Sequence, residues 1–470
     1  HATDGPLRTD DAPPRGATRP AGRSTGPTTD ATPGGPPVTV EPDPAPLAGT
    51  ATALREGDRT ATDHVEETLD RVGEVDPEIR AMVAEPRRED RLGAAAAGLE
   101  ARHPDPEERP PLYGVPVGVK DIFHVSELPT RAGSDLPPGD LAGPQADVVS
   151  TLRDAGALVL GKTVTTEFAY VEPGPTRNPH DLGHTPGGSS SGSAAAVAAG
   201  LCPLALGTQT VGSTIRPAAF CGIVGFKPSF GRIDRGGLIL VSESADHVGL
   251  FTRDVAGMEL AASVCCADWD GGVSAERPVL GVPDGAYVDQ ATEAGRAGFE
   301  RALQALADAG FEIRYESVFE DIDAVTDRHR ALVTAEMALS HHEWFERHEE
   351  RYADATAETI RDGRDTDAET IAAGRAGQRR LRASLGERMD ETGVDCWVCP
   401  AAPGPAPEGI DDTGDPVMNA PWTHAGVPAV SVPAGTADGL PLGLQVVGRF
   451  GADERLLAHA AELEAALDGA

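Results

Sequence analysis

Residues His184 to Gly200, HTPGGSSSGSAAAVAAG, make two opposite demands on the backbone. Gly187 and Gly188, followed by Ser189, Ser190, Ser191, Gly192 and Ser193, have the composition of a flexible linker. The chain then runs directly into AAAVAAGLCPLALG, whose alanines and leucines favour helix and burial. A linker has no reason to enter a buried helix. The glycines therefore shape a fixed turn that holds several hydroxyls at a helix start.

The flanking sequence repeats one pattern. PLYGVPVGVKDIF (111–123) is a short valine-rich run bounded by Gly and Pro, and it reads as a buried strand carrying Lys120. DVVSTLRDAGALVLGKTVTTEF (147–168) reads as a helix and then an apolar strand, and LCPLALGTQTVGS (201–213) supplies another. CWVCPAAPGPAP (396–407), PAVSVPAG (428–435) and PLGLQVVGRF (441–450) add three more. Strands that are apolar throughout and alternate with helices specify an α/β fold, with a large mixed, mostly parallel central sheet flanked by helices.

Residues 1–46, rich in Pro, Gly, Thr and charge, are expected to be a disordered leader. Residues 47–470 are expected to form a single domain, entered through a helix that spaces Val65, Leu69 and Val72 on one face. A helical insertion is expected at about 293–388, where charge rises and the strand signals stop.

The chain carries 75 Asp and Glu against 40 Lys and Arg, a formal charge of -35. Such a surface repels phosphates and anionic lipid, so neither nucleic acid nor membrane is an expected partner. It also suits concentrated salt, which screens the self-repulsion, so a halophilic protein is expected. The six cysteines are too few for a disulfide scaffold and the start of the chain shows no export pattern, so a cytoplasmic protein is expected. Cys396 and Cys399 have metal-like spacing but no second pair, and read as strand residues.

Three features can carry chemistry: Lys120 on its buried strand, the serines of the opening stretch, and Ser213 in GTQTVGS, a Gly-flanked turn in which successive N–H groups can converge on one point. Each alone has an ordinary reading, as a snorkelling lysine, a helix cap and a turn. Together they do not suit a phosphate cradle, which needs no second serine loop and no embedded lysine.

Lys120 in GVPVGVKD, Ser189 in GGSSSGSAAAVAAG and Ser213 in GTQTVGS, followed by AAFCGIVGFKPSFGRI, are similar to the three catalytic blocks of the amidase signature family. The 24-residue step from Ser189 to Ser213 matches that family's spacing. The resemblance is dense from Leu112 to Gly249 and resumes at VCPAAPGPAP, APWTHAGVPAVSVPAG and GLPLGLQVVG. It implies a Ser-cisSer-Lys triad, with Ser213 as nucleophile, Ser189 as relay after a cis peptide bond, and Lys120 as base. A lysine is a base only when neutral, and the valine wall supplies the burial that this requires. The backbone N–H groups of Thr210, Val211, Gly212 and Ser213 are the expected oxyanion donors. Phe168, Asn419 and Trp422 are expected substrate contacts, whereas His341 and His342 are expected on a partly exposed helix face.

The chain departs from the family where Gln209 replaces Asp, Val211 replaces Gly, and Arg216 stands third, not second, after the nucleophile. If the usual acid and arginine pair across this loop, losing one and moving the other together fits a subfamily with its own substrate preference. The expected activity is hydrolysis of a small-molecule carboxamide to a carboxylate plus ammonia or amine, without metal or cofactor; a homodimer is compatible with it. The alternatives are the glutaminase (A) subunit of a tRNA-dependent amidotransferase and a non-catalytic anion-binding protein.

Overall fold

Val115, Val117 and Val119 are all buried, and the strand that carries Val117 and Val119 is one of ten in a single sheet. The computed structural model describes residues 40, 42–43, 45–273 and 276–468, so the leader expected over 1–46 lies outside the described residues as far as residue 39. The strands are β1 (Pro116–Lys120), β2 (Leu158–Thr163), β3 (Leu204–Gln209), β4 (Val224–Lys227), β5 (His247–Thr252), β6 (Val279–Pro283), β7 (Glu312–Glu316), β8 (Cys396–Pro400), β9 (Ala429–Ala437) and β10 (Leu440–Val447). They lie in the order β2-β1-β3-β5-β4-β9-β10-β8-β6-β7.

The expected large mixed sheet flanked by helices is present. Parallel pairing occupies both flanks, β2-β1-β3 and β8-β6-β7. The run β3-β5-β4-β9-β10-β8 between them is antiparallel. Part of that antiparallel run is a hairpin: Asp438 and Gly439 join β9 to β10 with φ of 53° and 81°, the paired left-handed conformations that an Asp-Gly turn accepts.

The predicted entry helix forms over Ala61–Ile79, with Thr60 accepting the Asp63 N–H at 3.0 Å as its N-cap and Val65 and Val72 buried. The serine-rich turn leads into the Ser191–Ala198 helix, all of whose residues are buried. Gly192 lets this helix start rest on the chain beneath it: a β-carbon there would lie 2.3 Å from the Ala81 carbonyl oxygen and 2.4 Å from the Val164 nitrogen.

The 293–388 stretch carries the helices Glu293–Asp308, Ile322–Ser340, His342–His348, Asp354–Arg364 and Ala368–Thr392, but it also contributes β7 at the sheet edge. EIRYE is polar and half-exposed on this strand, so no apolar run announces it. Glu336 ties two of these helices to the loop ahead of β5, accepting from Ser242 Oγ (2.5 Å), Ser244 N (2.9 Å) and Arg375 Nε (2.8 Å). Among the described residues no helix is long and apolar enough to cross a membrane.

Candidate active site

Lys120 ends β1 with its side chain wholly buried, and its Nζ lies 2.7 Å from Ser189 Oγ, 3.0 Å from Ser190 Oγ and 2.7 Å from Thr208 Oγ1. Three elements thus meet at one amine: β1, the serine turn and the end of β3. Burial drives the lysine pKa well below its ordinary value, against the smaller opposing pull of the Asp246 carboxylate. Asp246 is itself buried, and burial raises its pKa to about 6 despite hydrogen bonds from Thr210, Ser242 and Val241. Ser190 Oγ donates onward to the Thr208 carbonyl at 3.2 Å, and Ser193 Oγ donates to the Leu206 carbonyl at 2.8 Å. Those two serines brace the turn against β3.

The peptide bond between Gly188 and Ser189 is cis. Gly187 precedes it at φ 83°, where a β-carbon would approach the Pro217 Cα to 2.9 Å. The Gly188 carbonyl accepts from Arg216 Nη2 at 2.8 Å, and the same nitrogen reaches Thr413 Oγ1 at 3.1 Å. Arg216, three residues after Ser213, therefore holds the serine turn.

Ser213 lies beyond β3 in the turn that enters the Ile215–Cys221 helix, and it is partly exposed, unlike buried Ser189. Among the described residues its hydroxyl has no hydrogen-bond partner, so Lys120 and Ser189 are joined directly while Ser213 stands free on the adjoining loop. Gln209 and Arg216 do not pair. Gln209 Oε1 accepts the Thr214 and Ile215 N–H groups at 2.8 and 2.9 Å, and its Nε2 donates to Thr423 Oγ1 at 2.9 Å. A neutral amide can accept and donate here at once, which a carboxylate cannot.

The remaining acceptors of the loop are also held. Thr210 Oγ1 donates to Asp246 Oδ1 (2.6 Å), the Thr210 carbonyl accepts from His329 Nε2 (2.9 Å), and the Val211 carbonyl accepts from Thr423 Oγ1 (2.6 Å). The N–H groups of Val211, Gly212 and Ser213 donate to no acceptor among the described residues. His329 Nδ1 meets His424 Nδ1 at 3.3 Å, and burial lowers the two pKa values to about 4 and about 3, so both rings are neutral at neutral pH.

Of the expected substrate contacts, Asn419 reaches this loop. Its Nδ2 donates to the Ala401 carbonyl (2.9 Å) and Gln445 Oε1 (3.1 Å), while Oδ1 lies beside Gly212. Trp422 is fully buried, its indole N–H donated to the Tyr287 hydroxyl at 2.7 Å. Phe168 is fully buried at φ 48°, with Tyr352 stacked on it at 5.0 Å and His341 edge-on at 4.7 Å. The expectation of a partly exposed His341 is corrected by this packing, whereas His342 is exposed. His329, His424, Asp246 and Thr208 were not marked by the sequence: they lie in four separate segments with no shared pattern, and only the fold gathers them.

The model of the Amidase family matches residues 63–457. The A subunit of the Glutamyl-tRNA(Gln) amidotransferase of Koribacter versatilis (strain Ellin345) is 33% identical over 88% of this chain and 97% of its own length. Among solved structures, one described as an amidase superposes with a TM-score of 0.81 at 32% identity, covering 90% of this chain and all of the other. The native peptide amidase from Stenotrophomonas maltophilia gives 0.78 at 26% identity, covering 90% and 97%. With its ten-stranded sheet, its lysine and serine cluster and these matches, the chain belongs to the amidase family and is an enzyme of the hydrolase type that the family contains.

Proposed function

We propose that this enzyme hydrolyses a carboxamide to a carboxylate plus ammonia or an amine, through Lys120, Ser189 and Ser213 and an acyl-enzyme on Ser213. The observation that carries the proposal is the buried Lys120 amine at 2.7 Å from Ser189 Oγ. A neutral amine has two N–H donors and one lone pair. Ser190 Oγ, whose proton is committed to the Thr208 carbonyl, and Thr208 Oγ1 take the two donors, which leaves the lone pair for the Ser189 proton.

In the first step Ser213 Oγ bonds to the amide carbon, its proton passes to Ser189 Oγ, and the Ser189 proton passes to Lys120 Nζ. The developing oxyanion takes the free N–H groups of the 210–213 loop. The C–N bond then breaks as the proton returns through Ser189 to the leaving nitrogen. Water adds to the ester by the same relay and frees the carboxylate. The Ser213 to Ser189 contact belongs to the substrate-bound enzyme, since catalytic hydrogen bonds are often long in the free protein. A salt-rich cytoplasm is part of this reading, supported by the acidic surface.

Two readings divide the substrate. The curated relatives are named as the A subunit of Glutamyl-tRNA(Gln) amidotransferase, and on names they favour a role as the glutaminase of such an assembly over a free-standing amidase. In that case partner subunits would carry the tRNA, and the acidic charge of this chain is no argument against a nucleic acid in the assembly. The neutral Gln209 cap and the use of Arg216 on the serine turn support a substrate preference of its own, as does the similarity to the peptide amidase.

A fluorophosphonate should label wild-type enzyme and fail on Ser213→Ala; absence of labelling on the wild type would overturn Ser213 as the nucleophile. Ammonia release from glutamine, against a panel of aliphatic, aryl and peptide amides in molar salt without partners, decides between the two enzymatic readings. Turnover of panel amides with glutamine inert supports the free-standing amidase.

A further inference from the structure

The loop that bears Ser213 is gripped by its carbonyl oxygens. Within one trans peptide unit the C=O and the following N–H point in opposite directions, because the unit is planar. The Thr210 carbonyl shares a plane with the Val211 N–H, and the Val211 carbonyl shares one with the Gly212 N–H. Whatever draws those carbonyls to one side aims the two N–H groups to the other. Two side chains do so: His329 Nε2 donates to the Thr210 carbonyl at 2.9 Å, and Thr423 Oγ1 donates to the Val211 carbonyl at 2.6 Å.

We infer that His329 and Thr423 are positioning residues that orient the Val211 and Gly212 N–H groups as oxyanion donors, an inference that rests on the reaction proposed above. Each is itself held in its donating state. A carbonyl only accepts, so His329 Nε2 carries the proton, and its Nδ1 lone pair faces His424 Nδ1 at 3.3 Å, which then carries the proton of its own ring. Thr423 Oγ1 accepts from Gln209 Nε2 at 2.9 Å, and its one proton faces two carbonyls, that of Val211 at 2.6 Å and that of Asn419 at 3.1 Å, of which the shorter contact is the one to the loop. His329 belongs to the Ile322–Ser340 helix and Thr423 to the Ala420–Ala425 helix, so two elements distant in sequence converge on the loop from outside the site. This arrangement also gives Gln209 a second role beyond capping: by donating to the Thr423 oxygen it leaves that hydroxyl's proton for the carbonyls it faces.

The test is inactivation by fluorophosphonate-biotin, whose phosphoryl oxygen uses the same donors, resolved into the maximal rate and the half-saturating concentration for wild type, His329→Ala, His329→Gln, Thr423→Val, Thr423→Ser and Ser213→Ala. Loss of a whole oxyanion donor costs about 100- to 1000-fold, and a misaimed one retains part of its effect, so His329→Ala and Thr423→Val should each lower the maximal rate by about tenfold or more. The half-saturating concentration should stay within about threefold. Gln places an amide nitrogen where the imidazole Nε2 stands, and Ser keeps the hydroxyl, so His329→Gln and Thr423→Ser should recover most of the rate.

Thr423→Val keeps the side-chain volume and remains informative if His329→Ala does not fold. The inference is overturned if Thr423→Val and a folded His329→Ala keep the wild-type maximal rate while Ser213→Ala is unlabelled. If wild type is not labelled, or Ser213→Ala still is, the proposed reaction fails and this inference fails with it, a result distinct from the first.

Discussion

Replacing Lys120 with methionine tests the protonation state of the buried amine without reference to any substrate. Methionine keeps the length and apolar character of the side chain and removes Nζ. Ser189 and Thr208 each lose a hydrogen-bond partner, at about 1–3 kcal/mol for each hydroxyl left unmet, while Ser190 keeps its bond to the Thr208 carbonyl. That cost does not depend on pH. The protonation cost does: burial lowers the pKa of folded Lys120 well below its ordinary value, whereas in the unfolded chain it titrates near 10.4. Between the depressed value and about 10.4 the unfolded state binds one more proton, so wild-type stability rises with pH relative to Lys120→Met by about 1.4 kcal/mol per unit. Over two pH units the two proteins should diverge by about 3 kcal/mol in urea denaturation, wild type gaining as pH rises. Turnover should fall by about 100- to 10,000-fold, the range for loss of a general base. Parallel stability curves across neutral to alkaline pH would show that the folded lysine carries its proton, and the base assigned to the reaction would be lost.

Other perturbations read other parts of the structure. Gln209→Leu removes three buried hydrogen bonds and should cost about 2–4 kcal/mol, seen as a lower unfolding midpoint. Gly192→Ala puts a methyl group 2.3 Å from the Ala81 carbonyl oxygen and should destabilise by about 1–3 kcal/mol or more in the same assay. Burial raises the Glu336 pKa, but hydrogen bonds from Ser242, Ser244 and Arg375 outweigh it and leave the value below the ordinary one. Its contribution is therefore present above the unfolded carboxylate range and lost as pH falls through the folded value. Glu336→Gln should cost about 2 kcal/mol at neutral pH, with the deficit shrinking below about pH 4. Raising salt from 0.1 to 1 M shortens the screening length from about 10 to about 3 Å, so the midpoint of this chain, at -35, should rise with added potassium chloride.

Much of the sheet was legible because buried strands declare themselves as unbroken apolar runs: β1, β2, β3 and β8 all coincide with such runs. Lys120 was legible for the same reason, as the single charge at the end of a valine strand, and Ser189 because glycines gather where the backbone takes an unusual path. β7 was hidden by its polar, half-exposed edge position. The grip on the loop that bears Ser213 was hidden by distance along the chain. Asp246, His329 and Thr423 sit in three separate segments, and nothing in one segment's pattern announces that it will meet another. Gln209 looked like a loss when compared with the family's acid, and only the geometry shows that it serves two helices.

The strand order has a bearing on how the molecule is made. β9 and β10, near the end of the chain, lie between β4 and β8 and are the seam through which the early strands join the later ones. A ribosome therefore releases the lysine and both candidate serines long before the seam, or Thr423 just ahead of it, has been synthesised. A chain that stops short of β9 holds Lys120, Ser189 and Ser213 together with β1 and β3, yet lacks the hydroxyl of Thr423 and the strands that cover β4, so the proposed activity should arrive late, as the last strands slot into the middle.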